Sequence, residues 1–133
     1  MDENDWQKLR DAAMGARDQA YAPYSGFRVG AALQSREGRV FVGCNVENAS
    51  YGAAVCAERG ALSAAIAAGA RDFVALAIAT EAKHPTMPCG ICRQSLSEFA
   101  PALSVRSFTV AGAEAAHGLN ELLPHAFDRT QLD

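Results

Sequence analysis

Two short stretches of this 133-residue chain carry residue types at spacings suited to metal chemistry. Cys56 and Glu58 are separated by one alanine, and Cys89 and Cys92 lie in the run Pro88-Cys89-Gly90-Ile91-Cys92. Three thiolates can hold one zinc ion and leave a fourth coordination position open to water, as a catalytic site requires. A carboxylate two residues after the first ligand is then free to move protons beside the metal. Cys89 and Cys92 are three apart, so on a helix both sulfurs face one side of a single turn. Pro88 suits the first turn of such a helix, where a missing N–H costs nothing. The spacing predicts that Cys56 begins one helix and Cys89 another. The unpaired N–H groups and positive dipole at each helix start favour thiolate over thiol. Three thiolates outweigh the charge of one Zn²⁺ and weaken its ability to acidify water. Arg59, directly after Glu58, can hydrogen-bond ligand sulfurs and withdraw that charge, and Arg93 is a second candidate for the same task.

Other chemistry fits parts of this set. Cys89-Gly90-Ile91-Cys92 alone has the form of a thioredoxin-type redox pair, although Met87-Pro88 precedes it and Cys56-x-Glu58 would have no purpose. A structural zinc closed by a fourth ligand, Cys44 or His84, is another reading. Cys44 stands at a predicted strand end, where a small core residue is expected, and His84 in a predicted exposed loop.

The elements that must position these residues follow from periodicity. Residues 5–20 read as an amphipathic helix with Trp6, Leu9, Ala13, Ala16 and Ala20 on one stripe and Asn4 or Asp5 as N-cap. Two strands are expected at 27–34 and 39–45, joined by the turn at Arg36-Glu37-Gly38. An alanine-rich helix over 56–68 closes at Gly69. The continuous apolar run 73–80 suits a strand covered on both faces. A helix over 89–100 and a strand over 105–110 follow, then a short edge strand at 114–117 and a helical turn at 119–123. Strand–helix–strand alternation from 39 to 110 implies right-handed crossovers and a parallel portion of sheet, with the first hairpin adding an antiparallel pair. The fold class expected is α/β, a three-layer α/β/α sandwich around a mixed, mostly five-stranded sheet, with residues 1–133 forming a single domain.

Composition narrows the function. The net charge is −3 and the basic residues are scattered, so no basic stripe is available to neutralise a polynucleotide backbone. A small neutral substrate is favoured over nucleic acid. No apolar run approaches the roughly 20 residues of a membrane span. The acidic start Met1-Asp2-Glu3-Asn4-Asp5 is unlike a secretory signal, so the cytoplasm is the expected location and no membrane partner is expected. Cysteines kept reduced there point to metal or catalysis before disulfides.

The blocks Cys56-Ala57-Glu58-Arg59 and Pro88-Cys89-Gly90-Ile91-Cys92-Arg93-Gln94 together resemble the zinc motifs of cytidine deaminases of the small, homotetrameric class. The likeness extends, with gaps, over about residues 20 to 128. Ser25-Gly26-Phe27-Arg28-Val29-Gly30 resembles the segment whose phenylalanine stacks on the pyrimidine, which implies that role for Phe27. Asn45-Val46-Glu47-Asn48-Ala49-Ser50-Tyr51-Gly52 resembles the ribose-binding segment, and implies that Asn45 and Glu47 hold the 3′-hydroxyl. Their alternation makes independent sense, since residues i and i+2 of an extended chain face one way. The resemblance further implies that the Ala57 N–H binds the ring carbonyl and that the Met87 carbonyl receives the exocyclic amine. Leu122-Leu123-Pro124-His125-Ala126-Phe127 resembles the tail whose aromatic, here Phe127, reaches a neighbouring subunit's pocket. Segment 111–118 departs from the pattern, being shorter and richer in alanine.

The resemblance thus implies one Zn²⁺ per chain, with Cys56, Cys89 and Cys92 as ligands and Glu58 as the proton carrier. It implies hydrolytic deamination of cytidine and 2′-deoxycytidine to uridine and 2′-deoxyuridine, releasing ammonia, in pyrimidine salvage. A homotetramer with shared active sites is expected. Relatives that deaminate blasticidin S share the zinc motifs but lack the Asn-x-Glu pattern, and those acting on nucleotides or polynucleotides use His in place of Cys56. A non-catalytic zinc module is the alternative from a different class.

Overall fold

Asp2 starts the chain's first helix by satisfying its orphan donors. Its carboxylate accepts the Asp5 N–H at 2.8 Å while the Asp5 carboxylate accepts the Asp2 N–H at 3.0 Å, a reciprocal capping box. The cap therefore falls earlier than the expected Asn4 or Asp5, and α1 spans Glu3–Arg17 in this computed structural model, which describes residues 1–132. Its buried stripe is Trp6, Leu9, Ala13 and Arg17. Ala16 is only half-buried and Ala20 lies past the helix end, so a charged side chain takes the place expected of an alanine.

Five strands follow as one sheet. β1 (Val29–Ser35) and β2 (Val40–Cys44) form the expected hairpin, β3 is Phe73–Thr80, β4 is Ser104–Thr109 and β5 is Glu114–Gly118. Their order is β2-β1-β3-β4-β5, with β3 parallel to β4 and the other neighbours antiparallel. β5 confirms the edge strand expected at 114–117, one residue longer. Among the described residues three further α-helices follow, α2 (Ala57–Ala67), α3 (Gly90–Ser97) and α4 (Leu119–Leu122), with short 3-10 turns at Tyr51–Ala53 and Arg129–Leu132. The fold is the expected α/β sandwich around a mixed five-stranded sheet.

β3 shows why its sequence is apolar throughout. Leu76 and Ile78 enter a core with Leu62, Leu96, Leu103 and Val105, while Ala75, Ala77 and Ala79 face the opposite core with Trp6, Leu9 and Phe108. Large residues fill one layer and alanines let α1 lie close on the other. Each fully buried leucine or isoleucine contributes about 1.5–3 kcal/mol.

The small residues of α2 serve a tight internal approach. A Cβ on Gly43 of β2 would lie 2.4 Å from both the Ala57 carbonyl oxygen and the Ala61 nitrogen. Ala57, Ala61 and Ala65 are buried on this side, whereas Ser63, Ala64 and Ala67 face outward. The start of α2 is thereby pressed onto the sheet. Substituting Gly43→Ala should force α2 away and destabilise the protein by about 1–3 kcal/mol, the usual range for overpacking against an unyielding neighbour. Thermal unfolding checks this, and an unchanged midpoint would mean that the backbone yields without cost.

Candidate metal centre

Cys56 is the N-cap of α2 and Cys89 the N-cap of α3, and neither side chain caps its own helix. Cys92 sits within the first turn of α3 and is fully buried. The turn that ends in buried Pro88 and the close approach at Gly43 bring the two helix starts together. The three Sγ atoms lie within 4.8 Å of one another, and those of Cys56 and Cys89 are 3.8 Å apart. Tetrahedral zinc with Zn–S bonds near 2.3 Å requires sulfurs about 3.8 Å apart, so the cluster fits the ion. Among the described residues no Cys44 or His84 joins this group, and Cys44 is half-buried at the end of β2. The three-ligand arrangement, not a closed four-ligand one, is what the chain builds.

The electrostatics of the cluster suit a cation. Hydrogen bonding with Cys92, and then with Arg59 and Cys89, outweighs burial and lowers the Cys56 thiol to about 5. Cys92 moves up, through hydrogen bonding with Cys56 and through its own burial. The lowered Cys56 thiol favours the thiolate, the form in which a cysteine binds a metal ion. Arg59 Nη2 stands 3.7 Å from Cys56 Sγ, and hydrogen bonds with Cys56 and Cys92 raise its own pKa further. Its Nε is buried without a partner among the described residues. Arg93 points elsewhere. Its Nε donates to the Pro88 carbonyl at 2.7 Å and its Nη1 to the Leu122 carbonyl at 2.9 Å, so it braces the backbone before Cys89.

Glu58 is only 5% exposed. Burial pushes its carboxyl up from the ordinary value, the Cys56 charge adds to this, and the Glu58 backbone N–H opposes it. A carboxyl with a raised pKa beside a largely apolar cavity is suited to carrying a proton. The cavity, about 220 Å³, is lined by Phe27, Val29, Asn45, Cys56, Ala57, Glu58, Ile78, Thr86, Met87 and Cys89. A larger groove of about 840 Å³, between Trp6 and His117, contains none of these residues.

Of the remaining residues predicted from sequence, Phe27, Asn45, Ala57 and Met87 all reach this cavity. Glu47 lines a second concavity of about 320 Å³ with Tyr24, Ser25, Asn48, Tyr51 and Ala54. The two hollows are related by residues two apart on three segments: Ser25 and Phe27, Asn45 and Glu47, Ala54 and Cys56. Bridges from Val46 to Tyr21 and to Val55 hold the middle segment between the other two. Phe127 does not line either hollow of its own chain. It is 59% exposed, with its carbonyl held by the Gln94 amide at 2.7 Å.

The sequence named Asn45 and Glu47 but not the bonds by which they brace the chain. Asn45 accepts the Val29 N–H at 2.8 Å and donates to the Phe27 carbonyl at 2.8 Å, which makes it a brace for the aromatic segment. Glu47 accepts the N–H groups of Tyr24 and Ser25 at 2.9 and 3.1 Å and the Ser25 hydroxyl. Those bonds, the hydroxyl foremost, hold its carboxyl below the ordinary range. Val29, Ile78 and Thr86 also line the cavity. Val29 could have been found as the i+2 neighbour of Phe27, and Thr86 as the residue before Met87.

Residues 3–106 match the model of the cytidine and deoxycytidylate deaminase zinc-binding region. A cytidine deaminase of Halalkalibacterium halodurans is 48% identical over 130 residues, covering 97% of this chain and 98% of the relative. One from Mycobacterium tuberculosis is 42% identical over 132 residues, covering 99% and 96%. The crystal structure of cytidine deaminase from Burkholderia pseudomallei superposes with a TM-score of 0.88 at 50% identity, covering 91% of this chain and 98% of that one. Because the matched region holds all three cysteines and Glu58, and the likeness runs nearly end to end, the chain belongs to the cytidine deaminase family.

Proposed function

We propose that this chain is a zinc-dependent hydrolase that converts cytidine and 2′-deoxycytidine to uridine and 2′-deoxyuridine with release of ammonia. One observation carries the reading: three sulfurs lie within 4.8 Å of one another, and two of them, those of Cys56 and Cys89, border a cavity that a buried glutamate and an aromatic ring also line. When bound by Cys56, Cys89 and Cys92, zinc supplies the Lewis acidity that makes a water ionise near neutral pH. Glu58 takes a proton from the attacking water as the new C4–O bond forms and passes it to N3 of the ring. It then takes the proton of the new C4 hydroxyl and delivers it to the exocyclic amine, the C4–N bond breaks as the C4=O bond forms, and ammonia leaves. One carboxyl serves as base and acid in turn, which its raised pKa favours. Arg59 offsets the thiolate charge at Cys56. Arg93 supports the site indirectly, through the Pro88 carbonyl.

Substrate binding follows from the cavity walls. Phe27 stacks on the ring, the Ala57 N–H at the start of α2 is free to bond the ring carbonyl, and the Met87 carbonyl receives the amine. Asn45 has one amide hydrogen beyond its bond to Phe27, and Glu47 has lone pairs beyond those used by Tyr24 and Ser25. These two read the 3′-hydroxyl. The exposed ring of Phe127 suits a role in a neighbour's pocket, and with the outward small residues of α2 it supports a homotetramer with shared sites. A free nucleoside substrate fits pyrimidine salvage in the cytoplasm. Among the described residues no helix is long and apolar enough to cross a membrane.

Absorbance assays on cytidine, deoxycytidine, cytosine, CMP and blasticidin S test the substrate class directly, and turnover is expected on the first two. Glu58→Gln should retain about one zinc per chain yet lose about 10⁴-fold in kcat, because one carboxyl makes several proton transfers. Cys89→Ala should lose the metal itself. Near-normal turnover in Glu58→Gln would overturn the mechanism.

The sugar contacts have different signatures. Glu47→Ala should cost at least ~10²-fold in kcat/KM on nucleosides and little on free cytosine, since a buried hydroxyl partner is lost. Asn45→Ala should lower activity on both, because it also frees the Phe27 segment. Equal losses on base and nucleoside for Glu47→Ala would assign that residue to the fold alone.

Assembly is checked by light scattering together with Phe127→Ala. A tetramer is expected, with the variant still assembled but about 10-fold or more reduced in kcat/KM through lost pocket closure. A fully active monomer would defeat the shared-site reading.

A further inference from the structure

Arg17 is a buried charge with no part in the chemistry above. It is the last residue of α1, and only 7% exposed. Its Nη2 donates to the Glu81 carboxylate, its Nη1 lies 3.9 Å from that of Asp18, and its Nε is buried without a partner among the described residues. Removing a guanidinium from water is costly even when it is paired, and an apolar side chain of similar size usually packs as well or better. The other buried residues of this stripe, Trp6, Leu9 and Ala13, are apolar. The charge at Arg17 therefore needs an explanation beyond packing, and the position of its partner supplies one.

Glu81 is the first residue after β3. The stretch from Glu81 to Pro88 leads to Cys89 and carries Thr86 and Met87 on the cavity wall. Arg17 stands at the root of the facing wall. From it the chain runs through residues 18–26 to Phe27, and Arg28 folds back to bond the Asp18 carbonyl. Arg17 cannot shift to follow its partner, because the end of α1 is seated on β1. A Cβ at Gly30 would fall 1.9 Å from the Ala13 carbonyl oxygen and 2.5 Å from the Arg17 nitrogen. Glu81 itself is largely exposed, so its carboxylate is not required to fill the core.

We infer that Arg17 and Glu81 form a clasp that holds the loop carrying Met87 at a set distance from the segment carrying Phe27, making Arg17 a positioning residue for the substrate. This rests on the reading of the cavity as a cytosine-nucleoside site. The far end of the loop is held separately, by Arg93 on the Pro88 carbonyl. Thr80 Oγ1 also holds the loop, through the Ala82 N–H at 3.2 Å and the Thr86 hydroxyl at 3.4 Å, so losing the clasp loosens Thr86 and Met87 without detaching them and leaves Cys89 in place. Substrate binding suffers and zinc binding does not.

Two variants of the zinc-loaded protein separate this role from a stabilising one. Glu81→Gln weakens the pairing of a buried charge, so its thermal midpoint should fall. Arg17→Met combined with Glu81→Gln removes the charge as well, so its midpoint should recover. In both, KM for cytidine should rise ~10-fold with a smaller change in kcat, as expected when a contact loop is misplaced but the reacting groups are intact. Zinc content should stay at about one per chain, and amide hydrogen exchange over residues 82–87 should quicken. If the double variant regains both midpoint and KM, the pair serves stability alone and the clasp is rejected. Unchanged exchange over 82–87 rejects it as well, whatever the activity. Failure of the parent protein to deaminate cytidine would instead reject the substrate reading, and the exchange measurement would still report on the clasp.

Discussion

Two helices that begin at the same point in space govern this structure. Cys56 and Cys89 are their N-caps, and together with Cys92 they place three sulfurs within 4.8 Å. Such a group is unstable as three anions, and the surrounding chain meets this in several ways. The positive ends of α2 and α3 point at the sulfurs, and Arg59 stands beside Cys56. Contact with Cys92 and Arg59 lowers the Cys56 thiol towards the thiolate that a cation needs. The mechanical requirement is as strict as the electrostatic one, because helix starts can converge only if each helix is seated closely. Gly43 allows this for α2, and Pro88 with the Arg93 brace does so for α3.

The site divides its tasks along the chain. The segment from Cys56 to Cys92 supplies the sulfur cluster, the buried Glu58 and much of the cavity wall, whereas residues 24–47 supply Phe27, Val29 and Asn45 to that wall. Asn45 joins the two tasks. By holding the backbone on either side of Arg28, through the Phe27 carbonyl and the Val29 N–H, it sets the aromatic ring at the cavity mouth. Glu47 does the same for the turn at Tyr24 and Ser25. Each polar side chain read as a sugar contact is therefore also a structural brace. This pre-organises the pocket, since the side chains that line it are already held in place by bonds within the chain.

Much of the fold was legible in advance because its cues are local. The apolar run of β3 was read with its bounds intact, since burial on both faces leaves no polar position to blur the ends. The starts of α2 and α3 were legible within one residue through Cys56, Pro88 and Cys89. The start of α1 was misplaced because several acidic residues compete as caps there. Only the reciprocal bonding of Asp2 and Asp5 selects one. The alanines of α2 could be assigned to an outer face or an inner one from sequence, and the Gly43 contact shows that much of their smallness is used inside.

The sequence by itself determined which groups are able to do the chemistry: the i, i+3 pair Cys89 and Cys92, the Cys56-Ala57-Glu58 triplet and the adjacent Arg59. Their spacing places them on single helical turns, where geometry is nearly independent of the rest of the molecule. Tertiary structure decided what the longer polar side chains hold. Arg93 bonds two carbonyls and no sulfur, Arg17 crosses to Glu81, and Asn45 bonds Phe27 and Val29 on a distant segment. It also decided that Asn45 and Glu47 line different hollows. An arginine or asparagine has many acceptors within reach of its flexible chain. Which one it finds depends on where distant backbone segments have been brought by packing, and no local pattern encodes that.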